Sequence, residues 1–212
     1  MVPHRAARVA TLVLAVALAF APRADPVPAA AVIDRFHATL LDVMKNAQAL
    51  GVEGRRARLE PVMLETYDFP AMAQRSLGPA WAKLDDAQHA RFEQMFRELI
   101  LRTYAARFNA YTSERFETRG TEASIAGTEI VRTVLHSPKE NVQLDYRMRA
   151  TPAGWRVIDV YLGGTVSELA LRRAEYTSVL EREGFDALVA ALERKVADGP
   201  GGVPASSDSR LK

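Results

Sequence analysis

The sequence predicts an α+β fold: helices first, a curved four-stranded antiparallel sheet next, and helices last. Two changes of hydrophobic period carry this. Apolar residues recur at helical spacing from Val32 to Phe108, alternate with a period of two from Glu114 to Leu162, and return to helical spacing after Gly163-Gly164. The strand-like runs follow one another with only short turns between them. That makes a hairpin-linked meander, not the strand–helix alternation of a parallel sheet.

Val32, Ile33, Phe36, Leu40, Leu41 and Met44 keep the i, i+3/i+4 rule and predict a first helix. Gly51 and Gly54 are expected to break it, and Leu59, Val62 and Met63 resume it over 55–66. Asp68-Phe69-Pro70 opens a short helix with an acidic cap and a proline in the first turn, and Leu77-Gly78-Pro79 closes it. Asp85-Asp86-Ala87-Gln88 reads as a capping box, in which side chains at both ends satisfy orphan backbone N–H groups. The long helix behind it carries Phe92, Met95, Phe96, Leu99, Ile100, Thr103, Tyr104 and Phe108 on a stripe wide enough to face two layers.

Strands are predicted over 115–122, 129–136, 141–150 and 155–162, with turn residues at 137–140 and 151–154. The third strand alternates cleanly: Val142, Leu144, Tyr146, Met148 and Ala150 on one face, and Gln143, Asp145, Arg147 and Arg149 on the other. One face is therefore expected to be covered and the other to meet water. Gly163-Gly164 ends the sheet, and Thr165-Val166-Ser167-Glu168 reads as a second capping box before a helix through Leu169, Arg173, Tyr176 and Leu180. Gly184 separates it from a last helix over 185–196, and 198–212 is nearly free of apolar residues and expected to be disordered. Helices wrapping one face of a bent meander enclose an apolar cone, the shape shared with nuclear transport factor 2.

The chain has 212 residues, no cysteine, 28 basic and 26 acidic side chains. Without cysteine there are no disulfides, thiolate metal sites, cysteine nucleophiles or acylated lipoprotein anchors. Residues 1–31 hold Arg5, Arg8 and Arg23 against Asp25, which leaves 25 of the basic and 25 of the acidic groups beyond them. A neutral remainder lacks the surplus cations that nucleic-acid binding needs. The first 31 residues read as a signal and processing region: a basic start, then thirteen uncharged apolar residues from Val9 to Ala21, then Pro22, Arg23 and Asp25. Thirteen residues are too few to cross about 30 Å of hydrocarbon. The cut is expected after Ala21 or near Ala29–Ala31, with an uncleaved N-terminal anchor as the alternative, and export is expected to place the protein in the periplasm. A single domain is expected over 32–197.

Catalytic patterns are scarce. His37, His89 and His136 stand in no metal-ligand spacing, and no nucleophile elbow, P-loop or dinucleotide fingerprint occurs. Asp159 is the best acid–base candidate: on a regular strand it shares a face with Trp155, Val157 and Tyr161, where burial would raise its pKa toward that of a general base. An isomerase- or dehydratase-like cavity enzyme is thus one alternative, and a ligand-free adaptor another. What the chain has in abundance is large adaptable apolar residues, among them Met72, Leu77, Trp81, Met95, Phe96, Tyr104, Tyr146 and Met148, which suit a pocket for an apolar ligand.

Several segments together resemble one family. Tyr67-Asp68-Phe69-Pro70-Ala71-Met72-Ala73, Ser76-Leu77-Gly78-Pro79-Ala80-Trp81, Gln88-His89-Ala90-Arg91-Phe92, Leu101-Arg102-Thr103-Tyr104 and Trp155-Arg156-Val157-Ile158-Asp159-Val160 are similar to the MlaC (toluene-tolerance) family over nearly all of residues 32–196. The stretch from Tyr161 to Tyr176 looks closer to its hopanoid-associated branch, HpnM. The resemblance implies a non-enzymatic, monomeric periplasmic carrier of phospholipid or hopanoid, needing no cofactor. It also implies partners, an inner-membrane MCE/ABC transporter complex and an outer-membrane acceptor. The family's pocket lies between sheet and helices, which by position implies Leu77, Trp81, Phe96, Tyr104, Tyr146, Met148, Val157 and Val160 as lipid-binding residues. Val157 and Val160 fall on opposite faces of an unbulged strand, so only one of the two is expected to line it.

Overall fold

The computed structural model describes residues 27–198. The apolar run of the expected signal segment, and residues 199–212 of the expected disordered tail, lie outside the described residues.

Helix α1 spans Ala29–Lys45, starting ahead of Val32, and Ala29 is already buried at 2% exposure. Helix α2 (Ala47–Thr66) is interrupted at Gly51, whose φ of 60° a side chain would disfavour. Gly54, by contrast, stays helical, so only one of the two expected breaks occurs. The buried guanidinium of Arg55 donates to the carbonyls of Ala105 (2.7 Å) and Ala47 (2.9 Å), tying the kink to the end of the next long helix.

Helix α3 (Phe69–Leu77) begins as expected, with Asp68 accepting from the Ala71 N–H and Pro70 in the first turn. A 3₁₀ turn, Gly78–Lys83, leads into α4 (Asp86–Arg107). Both bonds of the α4 capping box are present: Asp85 accepts from the Gln88 N–H at 2.8 Å, and the Gln88 side chain accepts from the Asp85 N–H at 3.0 Å.

The sheet contains β1 (Arg115–Ala123), β2 (Thr128–His136), β3 (Asn141–Thr151), β4 (Gly154–Leu162) and β5 (Val166–Ser167), in that order and antiparallel throughout. Five strands replace the expected four. Val166 and Ser167 pair with Leu162 and Tyr161, and two residues are too short to show a period. The second cap moves with them: Ser167, not Thr165, caps α5 (Glu168–Glu183) by accepting from the Ala170 N–H at 3.0 Å. Helix α6 spans Phe185–Ala197.

One face of the sheet carries the helices. Helix α1 packs on β1, β2 and β4, while α2, α3 and α5 pack on β4, and α4 lies against α2, α3 and α6. Two bulges break the ladder, between Thr118 and Gly120 in β1 and at Ile158 in β4. A bulge adds one residue to one strand and bends it.

The other face is not simply wet. Asp145 is fully buried: its carboxylate accepts from Arg132 (2.5 Å), Gln143 (2.8 Å) and the Thr133 N–H (3.2 Å). Period-two alternation placed it toward water, but the side chains of Arg132 on the neighbouring strand and Gln143 on its own strand fold onto it.

Candidate functional site

The bulge at Ile158 decides what β4 presents to the helices. Arg147 pairs with Asp159 while Met148 pairs with Val157, so Ile158 is the extra residue. Beyond it Val160 pairs with Tyr146, two residues from Met148. Val157 and Val160 therefore share the helix-covered face, and both are buried, at 0% and 6% exposure. The expectation that only one would point inward fails, because the strand is bulged between them.

The same bulge turns Asp159 to the other face, beside Arg147 and away from Val157. There its carboxylate accepts from the Ser167 hydroxyl (2.6 Å), the Val160 N–H (2.8 Å) and the Leu169 N–H (3.3 Å). Burial pushes its pKa up, against those bonds and the Arg147 charge. The geometry is that of a brace holding β5 and the start of α5 to β4, not of a base facing a cavity.

All eight residues expected to bind lipid belong to one apolar cluster, with Leu77, Phe96, Tyr146, Met148, Val157 and Val160 buried and Trp81 and Tyr104 packed against it half-buried. The cluster has two lobes. Tyr146, Met148, Val157 and Val160 form the sheet side. Leu77 from α3 and Phe96 from α4 belong to the helical side, where Phe92 lies 6.1 Å from Phe96 and 5.9 Å from Tyr176 between ring centroids. Trp81 sits at the helical edge, stacked on His89 at 4.0 Å. Phe36 of α1 packs among Tyr67, Tyr104 and Tyr146, with ring centroids 5.4 Å, 5.7 Å and 6.3 Å away. Phe36 was legible as an apolar helical position and Tyr67 only as part of a family-like segment, and nothing in their spacing marked them as central to this site.

The side chains here pack on one another. Two surface hollows among the described residues lie elsewhere: one of about 470 Å³ between α1 and α2 around Ala38, Ala57 and Pro61, and one of about 530 Å³ on α5 around Ala170, Ala174 and Thr177.

A polar seam runs through the cluster. His37 is 3% exposed, stacks on Phe116 at 3.8 Å, and bonds the Tyr146 hydroxyl through Nε2 at 3.0 Å; Nδ1 has no partner. Burial drops its pKa to about 3, so it is neutral. The Tyr67 and Tyr104 hydroxyls lie 2.6 Å apart, and burial pushes Tyr104 up to about 12. The charges of Glu168, Arg107 and Arg172 also act on Tyr104, which brings the seam to the junction of α4 and α5.

At that same end the apolar cluster is only half covered. Phe108, Phe116, Leu135, Val142 and Leu162 are partly exposed there while packing against the core. Phe108 stacks on Tyr104 at 5.5 Å and lies 6.4 Å from Phe116, which pairs with Leu135, which pairs in turn with Val142. His136 bonds Glu117 and Asn141, and no cluster of metal-binding side chains occurs among the described residues.

The sequence matches the family model of the MlaC protein over residues 34–194. No curated protein matches it. Among solved structures it is similar to the phospholipid-binding protein from Ralstonia solanacearum in complex with a phospholipid, with 22% identity and a TM-score of 0.73, over 81% of this chain and 98% of that one. At that identity the likeness establishes a shared fold.

Proposed function

The chain belongs to the MlaC family, and from that premise we propose that it is a lipid-binding carrier whose ligand's hydrocarbon enters between the helices and the sheet. The observation that carries this reading is the convergence of all eight apolar candidates on one space, half covered at the end formed by Phe108, Phe116, Leu135, Val142 and Leu162. Each CH₂ held out of water is worth about 0.8 kcal/mol. Two sixteen-carbon chains thus face a barrier of roughly 25 kcal/mol in crossing water unaided, and a protein that takes the tails removes most of it. The packed cluster must open to admit them, and its methionine and aromatic side chains re-pack at small cost. The fold shared with a phospholipid-binding protein supports phospholipid as the ligand; hopanoid is the alternative the α5 segment suggests.

The carrier works as a monomer in the periplasm, between an inner-membrane MCE/ABC transporter complex and an outer-membrane acceptor. The basic, apolar, proline-terminated start of the sequence supports export. Because Ala29 is buried within α1, cleavage after Ala21 keeps that helix whole, and a cut near Ala29–Ala31 does not. Asp159, committed to three bonds at the β5–α5 junction, gives no support to a cavity enzyme.

The test is native mass spectrometry of residues 22–212, purified without detergent, with organic extraction of bound material. Stoichiometric phospholipid or hopanoid is the expected result and names the ligand. A protein that is empty and takes up no lipid from vesicles would overturn the carrier reading in favour of an adaptor.

A further inference from the structure

The half-covered end of the cluster holds an unusual set of charges. Arg172 of α5 has a side chain only 12% exposed, yet its hydrogen bonds are long: 3.4 Å to the Tyr176 hydroxyl and 3.4 Å to Glu168. Its Nε, buried, donates to nothing, and neither does the buried Oε1 of Glu168 accept a hydrogen bond. Arg107, at the end of α4 and next to Phe108, approaches that oxygen at 3.6 Å. Taking a guanidinium out of water costs several kcal/mol unless its donors are well used. Here they are under-used beside an apolar space. The three groups together carry one net positive charge.

We propose that Arg172 and Arg107 form a binding site for a phosphate-type anion, and that the anion is the phosphodiester of a lipid whose tails occupy the cluster. The source assigned to the anion rests on the carrier reading above. A phosphodiester supplies one negative charge, which neutralises the set, and oxygen acceptors suited to the planar N–H array of arginine. Phe108, partly exposed and stacked on Tyr104 at 5.5 Å, adjoins Arg107 in sequence, so an anion held by Arg107 sits where apolar and polar lining meet. Glu168 makes the site selective for a singly charged anion, since a more highly charged one would meet its carboxylate unneutralised.

The experiment compares the wild type with R107Q and R172Q, each checked for an unchanged circular dichroism spectrum. Arg107 is 39% exposed on its side chain, so R107Q keeps the test valid if R172Q fails to fold. Each protein is incubated with vesicles containing phosphatidylglycerol and diacylglycerol in equal amounts, and bound lipid is counted by native mass spectrometry. Inorganic phosphate binding is followed separately by ³¹P NMR. The wild type should prefer phosphatidylglycerol, and each variant should lose that preference about tenfold or more while still loading diacylglycerol. An unchanged preference in both variants overturns the proposal and leaves the carrier reading intact. A wild type that takes up neither lipid overturns the carrier reading; if it still binds inorganic phosphate and the variants do not, the anion site stands with free phosphate as its source. Binding of neither lipid nor phosphate overturns both.

Discussion

Replacing His37 should remove a defined acid sensitivity from this fold. Its imidazole is buried between Phe36, Phe116 and Tyr146, with only Nε2 bonded, and burial lowers its pKa from 6.5 to about 3. The facing Tyr146 hydroxyl is itself held well above its usual pKa and stays neutral throughout. Below pH 6.5 the unfolded chain protonates His37 and the folded chain does not. Its contribution to stability is therefore complete above pH 6.5 and is lost as the pH falls, at about 1.4 kcal/mol per unit, until the folded form titrates near pH 3. Between pH 7.5 and 4.5 that amounts to about 2.5 kcal/mol. The assay is urea unfolding of wild type and His37→Gln at several pH values, followed by tryptophan fluorescence. Carboxylate titration affects both proteins alike, so the difference between their pH profiles isolates His37. The variant should be less stable at neutral pH, because Tyr146 keeps a weaker partner, and should lose about 2.5 kcal/mol less on acidification. Parallel profiles would refute the reasoning, since they would mean that His37 is not held neutral in the folded protein.

Three further outcomes follow from named contacts. Arg132→Met leaves the buried Asp145 carboxylate without its cation and should destabilise the protein by about 3 kcal/mol, read from the shift in urea midpoint; a shift within error would show that Gln143 and the Thr133 N–H suffice. Gly78→Ala puts a side chain at a φ of +57°, against an Arg173 guanidinium that can move aside, and the backbone strain should lower stability by about 1–2 kcal/mol in a thermal melt. Asp159→Asn weakens the bonds to Ser167 and Leu169 and should cost about 1–2 kcal/mol while lipid uptake from vesicles persists; a folded variant that no longer takes up lipid would give Asp159 a role beyond bracing.

Elements set by local chemistry were legible in the sequence. The Asp85–Gln88 capping box, the Asp68-Phe69-Pro70 start and four strands to within a residue or two of their ends all follow from side chains near one another along the chain. So did the apolar character of the site, because the helical stripe of α4 and the alternating face of β3 name Phe96, Tyr104, Tyr146 and Met148 directly.

What depends on pairing between distant segments was not legible. The bulge at Ile158 put Val157 and Val160 on one face and sent Asp159 to the other, and only the register against β3 sets it. Strand β5 exists because Val166 and Ser167 find Leu162 and Tyr161 across the Gly163-Gly164 turn, not because two residues have a pattern. Asp145 meets Arg132 from the neighbouring strand, and the side chain of Arg172 is only 12% exposed beside Glu168 and Tyr176. A sequence records which side chains are apolar or charged and how they repeat. Which charge ends up out of water, and beside what, is decided when segments far apart in the chain meet, because burial and Coulomb interactions depend on distance in space.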